Sequence, residues 1–388
     1  MDFRKNSKVI LIGALILAFI LSVNLSACET GERVIRIGNQ AVLSGEYEGF
    51  GLDQQISASL AVNELSPVEI GGYDYRIELV DMDDMGDPER AFLASRELVE
   101  QDVVAVIGSV FNGTTRASIP VYSEYNIPLV SPSAHGEDLS GAGNNFFRMV
   151  INNQQRAENI ADFLIGKNPQ NLIIVDNREQ YSLNLADYLV DAINDEGIGV
   201  TRRHSMDFAS EGYEVLAQNL VLDNPDLIFA CMQYDQLANL IKHSREAGVQ
   251  AGFVTEEFGM NDQISVLTSE KDLEGLLAVI PDPPSIARYT EDKKAVDFWR
   301  KFQAQTTKMD IEEDLDPGKY APYSYDAVHI IINAMRRANS TNPTDILGEL
   351  REISYEGVVG SIEFDQNGDR INPPSTVFVY TNGSWSRY

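Results

Sequence analysis

Short apolar runs that alternate with amphipathic stretches are the feature that most constrains how this chain folds. A continuous apolar run of a few residues is typical of a strand that is covered on both faces, as in a parallel sheet. Parallel strands need a crossover, usually a helix, so the alternation predicts repeated βαβ units and an α/β fold. The runs lie at residues 35–38, 103–107, 128–130, 172–175, 227–230 and 252–254.

The stretches between these runs carry apolar side chains at the spacing of one helix face. Leu185, Leu189 and Ile193 recur at every fourth position, which places them on one buried stripe of an α-helix. Gly248 follows another such stripe and suits the position just past a helix C-terminus. The alternation covers residues 33–355. That length is large for a single open sheet, so we predict two α/β lobes.

The charge balance excludes a nucleic-acid partner. The 388 residues carry a formal net charge of −29, whereas binding to phosphates requires clustered Lys and Arg. Hydrophobic residues make up 44% of the chain, which is ordinary for a globular protein with a sizeable core. We interpret the acidic excess as a solvated surface that keeps the protein soluble.

The sequence contains no pattern that indicates catalysis or a bound metal. It has no Gly-x-Ser-x-Gly elbow, no His-Glu-x-x-His and no phosphate-binding loop, which are the common signatures of such chemistry. The histidines are scattered without the spacing of metal ligands. They are His135, His204, His243 and His329. We therefore expect neither an enzyme nor a metal or cofactor.

The N-terminal segment has the features of a processed leader. Basic residues precede an apolar run at residues 9–23, which is short for a helix that spans a bilayer. The run ends in Leu25-Ser26-Ala27-Cys28, which resembles the lipobox of bacterial lipoproteins. This predicts a signal peptide at residues 1–27, diacylglyceryl attachment to Cys28 and a membrane-anchored location outside the cytoplasm. The alternatives are an ordinary signal peptide and an uncleaved anchor. With Cys28 lipidated, Cys231 would remain as a packed, unpaired thiol.

The pattern changes after residue 355. Residues 361–364 and 376–380 are β-like and are joined through residues 365–369, which contain the turn signal Asn-Gly. The Asp-x-Asn-x-Asp spacing of that connection also resembles the start of a calcium loop. The glutamate that completes such loops is missing, so we predict a plain turn.

Several short motifs follow one another along nearly the whole chain after the leader. They are Gly45-x-x-x-x-Phe50-Gly51, Asp83-Asp84-x-Gly86-Asp87-Pro88, Val106-Ile107-Gly108-Ser109, Asn112-Gly113-Thr114-Thr115, Ile127-Pro128-Leu129-Val130-Ser131-Pro132-Ser133-Ala134, Asn145-Phe146-Phe147-Arg148 and Ser324-Tyr325-Asp326-Ala327. In this order and at this spacing they resemble the branched-chain amino-acid (leucine/isoleucine/valine) binding proteins, a family of type I periplasmic binding proteins.

The resemblance implies two Rossmann-like lobes with parallel central sheets, joined by a three-segment hinge, with the ligand cleft between the lobes. The chain would cross between lobes near residues 150, 278 and 355. The first lobe would comprise residues 33–150 plus 280–354, and the second would comprise residues 151–279 plus 355–388.

The resemblance also implies a function. Such a protein is a monomer that captures an amino acid or an amino-acid-like molecule outside the cytoplasm and delivers it to the permease of an ABC importer. Two alternatives remain open. One is a ligand-sensing receptor domain of the same fold, and the other is a binder of amides, urea or aromatic acids.

Two segments are suited to a carboxylate. Residues 112–115 follow a strand and begin a helix expected at about 115–125, where free backbone N–H groups and the helix dipole favour an anion. Ser133, Ala134 and His135 follow the next strand and would face the same crevice. The resemblance implies that Asn112, Gly113, Thr114 and these three residues grip the ligand's carboxylate. Helix capping is the alternative role for Asn112 and Thr114.

An amino-acid ligand also presents an ammonium group. The resemblance assigns Glu257 to that group, although the neighbouring Glu256 leaves an ambiguity of one residue. Tyr234 would assist by its hydroxyl or by a cation–π contact, and Tyr181 would be a further aromatic of the cleft. Phe50 and Tyr320 would line the side-chain pocket. Core packing is the alternative role for each of these aromatic residues.

Two positions depart from the pattern of leucine-binding relatives. Asn112 stands where those proteins usually carry Ser, and His135 stands where they usually carry Thr. We expect His135 to titrate near the reference pKa of about 6.5. These departures weaken the prediction of leucine itself, and a diacid or a ligand with an extra polar group would suit His135.

Overall fold

The computed structural model of the protein describes residues 32–195, 199–206, 212–281, 292–311, 315–371, 373 and 375–388. The predicted signal peptide at residues 1–27 and the predicted lipidation site Cys28 lie outside these residues. Within the described ranges, no helix combines the length and the apolar character needed to cross a membrane.

The first sheet is built from the N-terminal part of the described chain. Its strands are β1 (Val34–Ala41), β2 (Val68–Ile70), β3 (Tyr73–Asp83), β4 (Ala105–Ile107), β5 (Leu129–Ser131) and β6 (Phe146–Arg148), and the helices between them are α1 (Glu48–Leu65), α2 (Pro88–Glu100) and α3 (Asn112–Glu124). The spatial order is β2-β3-β1-β4-β5-β6. The neighbouring pairs β3–β1, β1–β4, β4–β5 and β5–β6 are parallel, and β2 pairs antiparallel with β3 at the edge of the sheet.

The chain then builds a second sheet. Its first strands are β7 (Leu172–Asp176), β8 (Arg202–Ser205), β9 (Leu227–Cys231), β10 (Gly252–Thr255) and β11 (Leu277–Pro281). The helices of this part are α4 (Asn153–Gly166), α5 (Gln180–Asp195), α6 (Gly212–Asp223), α7 (Tyr234–Ala247), α8 (Ile264–Leu267) and α9 (Glu270–Leu273). These strands pair in parallel, as the buried apolar runs predict.

The next elements pack against the first sheet. They are α10 (Lys293–Lys308), α11 (Ala321–Ala338), α12 (Pro343–Arg351) and the hairpin of β12 (Tyr355–Gly357) and β13 (Gly360–Ile362). Val359, Ile362 and Phe364 are buried in the same core as β1 and α1. The structure therefore places the start of the predicted segment 355–388 with the first sheet, because this hairpin packs beside α11.

The last two strands, β14 (Ser375–Thr381) and β15 (Ser384–Arg387), extend the second sheet. Its order is β15-β14-β11-β10-β9-β7-β8, and β14 pairs antiparallel with β11. Strand β11 lies inside this sheet, so the second sheet includes the chain as far as Pro281. The predicted α/β fold with two mainly parallel sheets is confirmed.

Strand β7 shows why continuous apolar runs mark these strands. Leu172 and Ile174 are buried in one core with α4 and α5, whereas Ile173 and Val175 are buried in another with α6 and α7. Successive side chains of a strand point to opposite faces, so a sheet covered on both faces requires apolar residues at every position. Cys231, at the end of β9, is likewise completely buried and unpaired.

The connection at residues 365–369 forms the predicted turn. The Asp365 carboxylate accepts hydrogen bonds from the backbone N–H groups of Asn367 (2.8 Å) and Asp369 (2.9 Å). The Asp369 carboxylate is committed elsewhere, since Arg148 Nε lies 2.5 Å from its Oδ1. Among the described residues, no group of three or more His, Cys, Asp and Glu is arranged to hold a metal ion.

Candidate ligand-binding site

The carboxyl ends of β4 and β5 lead into two loops that are tied together. Helix α3 begins at Asn112, three residues earlier than the sequence indicated, and its first helical hydrogen bond runs from Thr115 N to Phe111 O (2.9 Å). The N–H groups of residues 112–114 precede that bond and lack a helical carbonyl partner. The side chain of Asn112 accepts from the backbone N–H groups of His135 (2.9 Å) and Gly136 (3.0 Å), so it links the loops.

Other polar side chains in these loops are also bonded within the protein. The Thr114 hydroxyl accepts from Phe111 N (3.3 Å) and donates to Phe111 O (2.9 Å). The Ser133 hydroxyl donates to Val110 O (2.7 Å), and Ala134 N donates to the hydroxyl of Ser131 (3.1 Å). These bonds fix the backbone at the strand ends, and they leave the helix start as the feature that suits an anion.

His135 differs from the expectation of a group that titrates near neutrality. Burial, followed by the positive charges of Lys319, Arg156 and Arg148, lowers its pKa to about 3. Its Nδ1 is buried and has no hydrogen-bond partner among the described residues. The ring centroid lies 6.1 Å from that of Tyr320. His135 is therefore a neutral imidazole that faces a cationic neighbourhood.

Glu257 lies just past β10 and contacts two cations. Its Oε2 accepts from Lys319 Nζ at 2.6 Å and from Arg156 Nη1 at 3.3 Å. Burial acts to raise the pKa of Glu257, but the two cations outweigh burial and hold that pKa below its usual value. The carboxylate is thus ionised and already neutralised by protein side chains.

Glu256 lies beside the same two cations, 4.0 Å from Arg156 Nη1. Its side chain is completely buried. The Tyr181 hydroxyl donates to its Oε2 (3.2 Å), and its Oε1 accepts from the backbone N–H of Phe258 (3.2 Å). Burial raises the pKa of Glu256 to about 7, although Arg156 opposes that rise.

Sequence reasoning missed the two cations. Arg156 lies on α4, is 5% exposed, and has a buried Nε without a hydrogen-bond partner among the described residues. Lys319 immediately precedes Tyr320 and α11, and its ammonium lies 5.0 Å from the Tyr320 ring centroid. Lys319 adjoins a predicted site residue, which is the one signal that pointed to it. For Arg156 the sequence offered none.

The structure gathers part of the predicted set. His135, Tyr181, Glu257 and Tyr320 contact or surround the two cations. The Tyr234 hydroxyl instead donates to Gln263 Oε1 (3.0 Å). Phe50 is 46% exposed, and its ring packs edge-on against Phe111 (6.2 Å), beside the start of α3. Gly113 occupies the first turn of that helix.

Two mainly parallel sheets with polar side chains gathered between them define a protein that binds a small ligand in a cleft. The chain belongs to the periplasmic binding protein family, whose sequence profile matches residues 34–384. The family resemblance seen in the sequence is confirmed. The family consists of solute-binding proteins rather than enzymes, and membership implies a location outside the cytoplasm.

Relatives of known name and structure extend over almost the whole chain. The chain is 22% identical over 350 residues to the leucine-, isoleucine-, valine-, threonine- and alanine-binding protein of Pseudomonas aeruginosa, covering 89% of this chain and 90% of that protein. It is 22% identical over 367 residues to the Leu/Ile/Val-binding protein of Escherichia coli, covering 93% of each. The crystal structure of a putative branched-chain amino acid ABC transporter from Rhodospirillum rubrum has the same fold, with a TM-score of 0.81 and 19% identity. The match covers 92% of this chain and 100% of that chain.

Proposed function

We propose that the protein is the solute-binding component of an ABC importer and captures an amino acid or an amino-acid-like molecule between its two sheets. The observation that carries this proposal is the polar cluster in which Glu257, from the second sheet, meets Lys319, from the chain that packs on the first. The family and the names of the relatives support the same class of ligand. The protein acts by binding and release, without catalysis.

The helix start at residues 112–114 supports a site for the ligand's carboxylate. Its backbone N–H groups lie before the first helical hydrogen bond, and a helix N-terminus favours negative charge. The bond from Asn112 to the second loop holds both loops in one arrangement. We infer that the helix start binds the ligand first, and that side chains of the second half complete the contacts.

Closure of the two halves around the ligand follows from the connections between them. The segments that connect the halves act as a hinge. The closed state is stabilised by the contacts that only closure adds. Tyr181, Tyr234 and Glu257 supply those contacts from the second half. The importer's permease would recognise the closed pair of surfaces, and a lipid on Cys28 would hold the monomer at the membrane.

A ligand screen tests the proposal directly. Isothermal titration calorimetry against amino acids, amides, urea and aromatic acids identifies the bound class. In addition, a ligand at about 100 times its Kd raises the free energy of unfolding by about 2.7 kcal/mol, which a thermal-unfolding measurement detects. The Asn112→Asp variant keeps the acceptor for His135 N and Gly136 N but adds a negative charge at the helix start. We expect it to weaken a carboxylate ligand at least tenfold. The exposed Asn219→Asp on α6 is the matched control.

The proposal fails if the folded protein binds no member of these classes. Equal affinity in Asn112→Asp and Asn219→Asp would remove the helix start from the site while leaving the function open to another pose. The anchor has its own test: Cys28→Ser should shift the protein from the membrane fraction to the soluble extracytoplasmic fraction.

A further inference from the structure

The charges around Glu257 do not match a site for a ligand's ammonium group. In the simplest site for a zwitterion, one acid of the protein neutralises one ammonium of the ligand. Here the Glu257 carboxylate already accepts from Lys319 at 2.6 Å and from Arg156 at 3.3 Å. An ammonium placed at this position would be a third cation beside one ionised carboxylate.

The second acid, Glu256, accepts no hydrogen bond from either cation. Glu256 is completely buried, and its oxygens accept from the Tyr181 hydroxyl and from Phe258 N. Its nearest approach to Arg156 is 4.0 Å, longer than a hydrogen bond. The position of Glu256 behind Tyr181 therefore makes it a poor partner for a ligand cation.

Two polar atoms in the same neighbourhood are left without partners among the described residues. Arg156 Nε is buried on a side chain that is 5% exposed, and His135 Nδ1 is buried on the facing loop. A guanidinium N–H is a donor only, so the orphan on Arg156 calls for an acceptor. A buried donor without a partner is costly, and a ligand oxygen would satisfy it.

We propose that the ligand is a small carboxylic acid of net negative charge, with an acid group held by Arg156 and Lys319, rather than a zwitterion whose ammonium meets Glu257. This proposal rests on the proposed function and narrows its ligand class. Arg156 offers a planar fork of donors that suits a carboxylate. Lys319 supplies a second charge from the opposite half, so the ligand's acid group would bridge the two halves on closure.

Pairs of ligands that differ only in the ammonium test this directly. Calorimetric titration of the full-length protein would compare leucine with 4-methylpentanoate, glutamate with glutarate, and phenylalanine with 3-phenylpropanoate. In every pair that binds, we expect the acid without the ammonium to bind at least tenfold more tightly than the amino acid. Tighter binding of the amino acid would overturn the proposal and leave the solute-binding function standing.

Two substitutions at Lys319 separate charge from packing. Lys319→Met should reduce the preference for the deaminated acid at least tenfold, because it removes an anion partner and frees Glu257 for an ammonium. Lys319→Arg should keep the preference. The control is Lys308→Met, at an exposed lysine at the end of α10.

An unchanged preference in Lys319→Met would overturn the assignment of Lys319. Absence of binding by all six compounds and by amides and urea would overturn the proposed function as well.

Discussion

Glu256 and Glu257 are neighbours in the sequence and share one cluster, yet the structure favours different ionisation states for them. Glu257 accepts from two cations, which hold its pKa below the usual value. Glu256 is completely buried, and its pKa rises to about 7. The family resemblance singled out Glu257, with Glu256 as the neighbouring alternative. Sequence reasoning did not identify Arg156, since a charged residue on a helix is usually exposed and only tertiary packing shows otherwise.

Removing the charge of Glu257 should destabilise the protein. The Glu257→Gln variant leaves Lys319 and Arg156 without their ionised partner, and such a loss typically costs about 1–3 kcal/mol. We therefore expect a lower midpoint of thermal unfolding without ligand. Glu214→Gln, at an exposed position of α6, is the matched control. Identical midpoints for both variants would contradict a stabilising role for the cluster.

Glu256 should make stability depend on pH. Its pKa is raised from 4.5 to about 7 in the folded protein, so between these values the folded state binds more protons than the unfolded state. The free energy of unfolding contributed by this group therefore falls as pH rises from about 4.5 to about 7, and it is constant above that range.

The Glu256→Gln variant isolates this effect from other titrating groups. Glutamine keeps the shape of the protonated acid, so the variant should gain stability relative to the parent protein as pH rises through the same range. Chemical denaturation at a series of pH values measures the difference. A difference that is independent of pH would show that Glu256 titrates normally in the folded protein.

At the scale of elements, two buried arginines hold the connections between the sheets. Arg148, at the end of β6, contacts Asp369 and donates to Gly136 O (2.9 Å). Arg370 donates to Met149 O (3.2 Å) and to Val359 O (2.6 Å). Both are completely buried. The passages after β6 and after β13 are therefore bonded to each other, and a hinge motion has to preserve or repack these contacts.

Loss of the Arg148 side chain should strongly destabilise the folded protein, because it leaves a buried carboxylate without its cation. We expect Arg148→Met to cost about 3–5 kcal/mol of stability. The double variant Arg148→Met/Asp369→Asn should lose less than the sum of the two single variants, because the pair acts as a unit. Arg300→Met is the control, since its ion pair with Asp297 is exposed. Additive losses in the double variant would show that the two side chains do not stabilise each other.

The same scale shows which elements the sequence could predict. Buried runs such as β7 and β9 were predicted almost to the residue, because both faces are covered. The bounds of β3 were not predicted, since its side chains are mostly half-exposed and polar residues interrupt the apolar pattern. The hairpin of β12 and β13 packs in the core of the first sheet, and the sequence did not indicate this because short strands carry no signal of their partner. The lobe boundaries and the site residues stay predictions.

At the scale of the whole molecule, Lys319 and Glu257 form an ion pair that joins the two halves. Lys319 precedes α11, whose first residue, Ala321, is buried in the core of the first sheet, and Glu257 follows β10 of the second. The pair therefore favours approach of the halves before any ligand binds. A ligand acid that adds contacts to both cations would strengthen the same approach.

This contact predicts a change of shape on substitution. Without ligand, Lys319→Met should have a larger radius of gyration than the parent protein, because an interaction of the closed arrangement is lost. Small-angle X-ray scattering measures the difference, with Lys308→Met as the reference. Equal radii for the two variants would indicate that the ion pair does not influence the opening of the cleft.

The burial of Cys231 has a practical consequence. Its side chain is inaccessible, and burial raises the pKa of the thiol well above its usual value, so it should react slowly with labelling reagents. A soluble form that begins after Cys28 would then accept one engineered surface cysteine as its single reactive handle. A fluorophore at the rim of either half would report opening and closing, and the natural ligand could be sought by optical titration of cell extracts.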